Sequence, residues 1–171
     1  MNLESEILKE HSKLQSQKIA AWVGNDIDRF EQLMKLFLHG EYCIVQRASW
    51  IVTLCSDKYP ELVEPWLPKM IKKMQEKGGH VAIKRNMLHI LQFIEIPRKL
   101  QGVLTNLCFD YLTSLEAPIA VKAFSMTVLA NITKEEPDLK NELRIIIEQM
   151  LPYSGPGIQS RGKKVLKQLS A

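Results

Sequence analysis

Cysteine is scarce in this chain. There are three, Cys43, Cys55 and Cys108, odd in number and scattered through apolar surroundings. That argues against a disulfide framework and points to reduced core thiols in a cytoplasm. Cys43 and Cys55 lie 12 positions apart on one expected helix, about 120° out of phase, so they cannot share a metal. No H-E-x-x-H or C-x-x-C occurs, and His11 and His39 have no partner at ligand spacing. No metal or other cofactor is expected. No uncharged run approaches the ~18 to 20 residues needed to cross a bilayer. The opening "MNLESEILKEHSKLQ" carries charge where a signal peptide needs its apolar segment. The expectation is a cytoplasmic protein without a membrane partner, and its net charge of +4 says little by itself about what it binds.

Strand signals are also missing: no clean alternating run ends in a two-residue hairpin turn. Helical spacing appears instead, along most of the 171 residues. Ile27, Phe30, Met34 and Phe37 mark one face of a helix opening at Asn25 or Asp26 and closing at Gly40. Another spans about Cys43 to Ser56. Pro60, Pro65 and Pro68 crowd the start of the next, between Pro65 and Lys77, which Gly78-Gly79 stops. Further helices are expected over Val81–Glu95, from Leu100 to Leu115, Pro118–Thr133, Pro137–Met150 and Ile158–Leu169. With an N-terminal helix over residues 2–23, that makes about nine helices and no sheet.

Two of these helices align without a gap. "VAIKRNMLHILQFI" from Val81 lies 38 residues before "IAVKAFSMTVLANI" from Ile119. Ile83 meets Val121, Leu88 meets Met126, Leu91 meets Leu129, Ile94 meets Ile132, and Lys84 meets Lys122. The same shift backwards sets Arg47 against Arg85, and a shift of 39 forwards sets Arg161 against Lys122. Pro60, Pro97 and Pro137 keep similar time. Each unit is a helix A, a turn rich in glycine or proline, and a helix B with a basic residue early in it. The units run over about 26–56, 59–94, 96–132 and 135–169.

This pattern resembles the HEAT and armadillo-like repeat families. The resemblance implies an all-α fold: a right-handed α-solenoid, or alpha-alpha superhelix, of about four HEAT-like helix pairs plus the N-terminal helix, in a single repeat domain. It also implies that the B helices line an inner, concave surface. In HEAT units an aspartate in the A–B turn often pairs with the helix-B arginine. In those turns only Glu41 and Glu116 could substitute, which would leave Arg85 and Arg161 unpaired.

The segment "GPGIQSRGKK", Gly155 to Lys164, contains G-x-x-x-x-G-K at Gly157, Gly162 and Lys163. A phosphate-binding loop needs a strand before it and Ser or Thr after the lysine. Here a helix precedes it and Lys164 follows. The repeat accounts for the same residues, with Gly155 to Gly157 as the turn and Arg161 in the basic register.

Charge is unevenly placed. The expected B helices hold Arg47, Lys84, Arg85, Lys122, Arg161, Lys163, Lys164 and Lys167 against one acid, Glu95, while the rest of the chain is slightly acidic. A basic residue in a first helical turn opposes the helix dipole, by roughly 0.3–1 kcal/mol. Two readings of these side chains stay open. They form a basic groove for an acidic peptide, a phosphorylated segment or nucleic acid, or they bridge neighbouring repeats. The cluster Arg161, Lys163, Lys164 and Lys167 reads as a solvated face of the terminal unit.

Catalysis has little support, since general acid–base work needs a carboxylate or histidine in a pocket. His80 beside its glycine turn and His89 on an apolar helix read as structural. Some HEAT-like proteins are DNA glycosylases for alkylated bases, with a basic concave face, aromatics and an essential aspartate. Here Trp50 is the only tryptophan on an expected B helix and no aspartate accompanies it. The expected function is a non-enzymatic binding and scaffold module whose basic concave face takes an acidic or extended protein partner. Nucleic acid is the alternative ligand. The sequence leaves the oligomeric state open.

Overall fold

The computed structural model describes residues 1–76 and 81–170, so Gly78, Gly79 and His80 lie outside the described residues. Ten α-helices appear among these: α1 (Leu3–Lys9), α2 (Lys13–Val23), α3 (Ile27–His39), α4 (Tyr42–Lys58), α5 (Leu67–Gln75), α6 (Val81–Leu91), α7 (Arg98–Thr113), α8 (Ile119–Ile132), α9 (Leu139–Met150) and α10 (Pro156–Leu169). No strand occurs among the described residues.

The single helix expected over 2–23 is two helices, because each start has its own cap. The Asn2 side chain accepts from the Ser5 amide, and the Ser12 hydroxyl accepts from the Gln15 amide, each satisfying a donor that the first turn leaves over. Gly24 then ends α2 at φ 54°, a left-handed torsion that favours glycine. Asp26 caps α3 by accepting from the Arg29 amide. Pro60 is the first residue of one short 3-10 turn, and Pro65 and Pro68 are the second residues of another and of α5. Prolines suit these places because the first turn's N–H groups have no intrahelical partner. α6 stops at Leu91, short of the expected Glu95, while α10 begins at Pro156, so Gly157 already lies inside a helix.

The chain divides into two compact units, Met1–Ile94 and Glu95–Ala171. In the first, α1 pairs with α2, α3 with α4 and α5 with α6, while α4 lies alongside both α2 and α6. In the second, α7 pairs with α8, α9 with α10, and α8 lies alongside α10. Each unit is thus a layer of A helices against a layer of B helices, with α2 in the B position of an additional N-terminal pair.

The 38-residue register is visible in burial. Ile83 and Val121, Leu88 and Met126, Leu91 and Leu129, and Ile94 and Ile132 are all buried, and Val81 and Ile119 are both exposed. In the first unit the core gathers Phe30, Leu33, Met34 and Phe37 from α3 with Ile51 and Val52 from α4 and Met70 and Met74 from α5. Burial of such side chains stabilises by roughly 1.5–3 kcal/mol each. Cys55 and Cys108 belong to these interiors, and burial pushes both thiols up to about 12.

Candidate interaction surfaces

In the first unit, the basic residues of the B helices have different surroundings. Arg47 reaches from α4 to the end of α1, where its guanidinium Nη1 donates to the carbonyl oxygens of Ile7 (3.1 Å) and Leu8 (2.9 Å). These are among the last carbonyls of a seven-residue helix, which no intrahelical N–H can satisfy, and positive charge is favoured there. Arg47 therefore ties α4 to α1. It does so without Glu41; neither Glu41 nor Glu116 forms an ion pair among the described residues. The same end of the unit is fastened by Gln15, whose Nε2 donates to the carbonyl and the carboxylate of Glu6, both at 2.9 Å. Lys18 donates to that carboxylate at 3.2 Å. Gln15 first, then Lys18, hold the Glu6 carboxyl below its usual range.

Lys84 is half-buried and stands four and seven positions before Leu88 and Leu91, at the head of the stripe that packs inward. Arg85 is exposed. Its Nε donates to Asn86 Oδ1 at 3.2 Å, and Asn86 in turn donates to the Ser49 hydroxyl of α4.

The exposed strips of α2 and α4 and the turn that follows α6 carry a feature that sequence reading misses. Leu14 is 78% exposed, Tyr42 58%, Trp50 38% and Phe93 69%. On α4 the strip runs Cys43, Gln46, Trp50, Thr53 and Asp57, spaced by three or four, between the buried Ile44–Val45, Ala48–Ser49, Ile51–Val52 and Cys55–Ser56. The signal lay in Trp50, whose position falls out of phase with those buried pairs. Because α4 extends to Lys58, Asp57 stands on a B helix, and the expectation of no aspartate there is corrected. Glu95 in turn falls outside α6. Asp57 is exposed, with its Oδ1 4.0 Å from His89 Nε2, and His89 meets the Phe93 ring edge-on at 5.5 Å. His89 of α6 thus stands between Asp57 of α4 and Phe93 in the turn after α6.

The second unit divides its basic residues in the same way. Arg161 is half-buried; it donates to the Thr127 hydroxyl of α8 and its guanidinium lies 5.9 Å from the Phe124 ring centroid. The expectation that it stands unpaired on a solvated face is corrected, because α8 lies beside it. Lys122 is half-buried at the head of the stripe formed by Met126 and Leu129. Lys163, Lys164 and Lys167 are exposed. They span about 100° of α10, opposite its buried stripe of Ile158, Gly162, Val165 and Leu169. None of the three has an ion pair or hydrogen bond among the described residues.

Helices packed in consecutive pairs, second helices side by side within each unit, and one register of burial shared by α6 and α8 describe a repeat architecture. A family model described as a HEAT repeat domain matches residues 3–169. The chain belongs to this HEAT repeat family. The match begins at residue 3, so it includes the α1–α2 pair that the internal register alone leaves out. No curated protein and no solved structure gives a significant match. HEAT repeats generally mediate protein interactions and scaffolding, and the family is typically non-enzymatic. Among the described residues, no group of His, Cys, Asp and Glu could hold a metal, and no helix is long and apolar enough to cross a membrane. Gly157, Gly162 and Lys163 of the phosphate-loop spelling lie within α10 itself, and Gly162 faces Ile147 and Leu151 of the preceding segment.

Proposed function

We propose that this HEAT repeat protein is a cytoplasmic binding module that captures an extended, acidic protein segment on its B-helix faces. The observation that carries this is the surface of the first unit, where Tyr42, Trp50 and Phe93 are exposed and the exposed Arg85 is linked through Asn86 to Ser49, the residue before Trp50. Exposed aromatics with arginine are the residues that dominate binding energy at protein interfaces. Acidic groups on the segment meet Arg85, and its apolar side chains lie on the rings. In the second unit, Lys163, Lys164 and Lys167 offer a further site for acidic residues. Lys84 and Lys122 add positive potential from half-buried positions. Arg47 and Arg161 act chiefly as bridges between helices and contribute charge rather than direct contacts. We take the five helix pairs as one repeat domain, in line with the single family match over both units, and the buried thiols of Cys55 and Cys108 fit a reducing compartment.

Exposed rings beside basic side chains also suit single-stranded nucleic acid, whose bases stack on aromatic faces. Titration of the full chain with an acidic peptide, single-stranded RNA and duplex DNA at two salt concentrations separates the readings. Peptide binding that Trp50→Ala and Arg85→Glu each weaken supports the protein partner. RNA binding that Trp50→Ala abolishes, with no peptide binding, overturns it in favour of nucleic acid.

A further inference from the structure

The A-helix layer of the first unit contains a cavity of about 540 Å³, lined by Asn25, Ile27, Phe30, Glu31, Glu61, Leu62, Pro65, Trp66 and Lys69. It lies where the start of α3 meets the two 3-10 turns and the first turns of α5. Its lining is mixed, with an apolar part in which Phe30 and Leu62 are buried, Trp66 is half-buried and Ile27 is 73% exposed. A volume of this size falls within the range of ligand sites and accommodates one large side chain with part of its neighbours. The charges around this hollow indicate which segment would fill it.

Two carboxylates stand at the rim. Glu31 is engaged by Lys35 at 2.7 Å, which, with Lys69 contributing less, holds its carboxyl below the usual range. Glu61 is exposed and has no ion pair or hydrogen bond among the described residues. The cation at the rim, Lys69, rests 4.6 Å from the Trp66 ring centroid, which shows that the indole face at this place already holds a positive group. The site therefore offers an apolar hollow and, at Glu61, a carboxylate with no ion pair or hydrogen bond among the described residues, while the Trp66 face is already taken by Lys69.

We propose that this cavity is a second docking site, for a protein segment in which a large aliphatic or aromatic side chain is followed closely by lysine or arginine. The apolar side chain enters between Ile27, Leu62 and Trp66, and the basic one reaches Glu61. Its preference is opposite in charge to that of the B-helix face, so one chain can hold an acidic segment on one layer and a basic segment on the other. The site uses no residue of the B-helix face and stands or falls separately from it.

The test is a nitrogen-15 NMR titration of the full chain with three synthetic hexapeptides in a glycine–serine background, carrying Leu-Lys, Leu-Glu or Ala-Lys at the centre. The Trp66 indole resonance is identified by its loss in Trp66→Phe. The Leu-Lys peptide is expected to shift the Trp66 indole and the Ile27 and Glu61 amides, at least fivefold more tightly than either of the others. Glu61→Lys, an exposed position that leaves folding unaffected, should weaken Leu-Lys at least fivefold and favour Leu-Glu. Equal binding of all three peptides, or shifts confined to other residues, overturns the proposal. So do shifts at Ile27 and Trp66 that appear on raising protein concentration without peptide and leave no response to it, because the occupant is then a second copy.

Discussion

Arg47 and Arg85 occupy equivalent places in the repeat, yet one fastens two helices and the other is an exposed group bonded to its neighbour's side chain, and substitution should separate them. Arg47→Met keeps much of the aliphatic stem and removes the two donations to the Ile7 and Leu8 carbonyls. A hydrogen bond from a charged donor contributes roughly 1.5–3 kcal/mol when desolvated. Arg47 is only half-buried, and water takes over part of what is lost, so the two together should be worth about 2 kcal/mol. For a chain of this size each kcal/mol shifts Tm by about 2–4 °C, giving a fall of about 4–8 °C. Arg85 is exposed and among the described residues bonds only to its neighbour's side chain, so Arg85→Ala should change stability by less than about 0.5 kcal/mol. The assay is thermal unfolding followed by circular dichroism, with hydrogen exchange to localise the effect. In Arg47→Met the amides of α1 should lose protection before those of α3 and α4, since the tether to α1 is what has gone. Binding of the acidic peptide should behave in the reverse way, weakened in Arg85→Ala and nearly unchanged in Arg47→Met. The reasoning is refuted if Arg47→Met unfolds within about 0.5 kcal/mol of the parent, keeps α1 protected and yet loses peptide binding.

Two glycines in helices should respond to alanine with opposite signs. At Gly102 an added Cβ meets nothing within 4 Å, so Gly102→Ala should raise stability by about 0.5–1 kcal/mol through helix propensity and reduced unfolded-state freedom. At Gly162 the same atom comes 2.8 Å from Leu151 Cδ2 and 3.0 Å from Ile147 Cγ2. Overpacking costs roughly 1–3 kcal/mol against that gain, and denaturant midpoints should show a net loss of about 1 kcal/mol. The thiols should also divide. Cys43 is exposed whereas Cys55 and Cys108 are buried with their pKa raised to about 12, so a disulfide reagent at pH 8 should modify one thiol rapidly in the folded chain. All three should react in denaturant; rapid reaction of three without it would show that these interiors open readily.

Much of the fold is written in the sequence, because helical spacing and the 38-residue register both follow from apolar positions that must face a neighbour. Val121 and Ile83 are buried for the same reason, at the same place in the same element. The break between α1 and α2 was harder to see. Lys9, Glu10 and Lys13 are good helix residues by propensity, and the interruption depends on Ser12 accepting a bond from the Gln15 amide. The partners of the basic residues were harder still. Arg47 bonds to main-chain carbonyls, which every residue type supplies, so no letter of the sequence announces them. Arg161 finds a threonine hydroxyl and a ring one repeat back, where the expectation sought a carboxylate in the turn. The exposed strip with Trp50 and Phe93 was masked by composition, because an aromatic residue on an apolar helix reads as core until the phase of its neighbours is known.

Gly162 was the glycine that made the last helix look like a phosphate loop, and the pressure on it comes from the methyl groups of Leu151 and Ile147. Its identity is therefore a matter of volume shared across two helices rather than of backbone torsion or ligand. Space at these three positions is exchangeable: Leu151→Ala should turn Gly162→Ala from harmful to tolerated, whereas neither change is expected to touch the lysines that follow. Among related sequences, a larger residue at 162 should travel with a smaller one at 147 or 151, so that the glycine-lysine spelling comes and goes while the basic surface beside it persists.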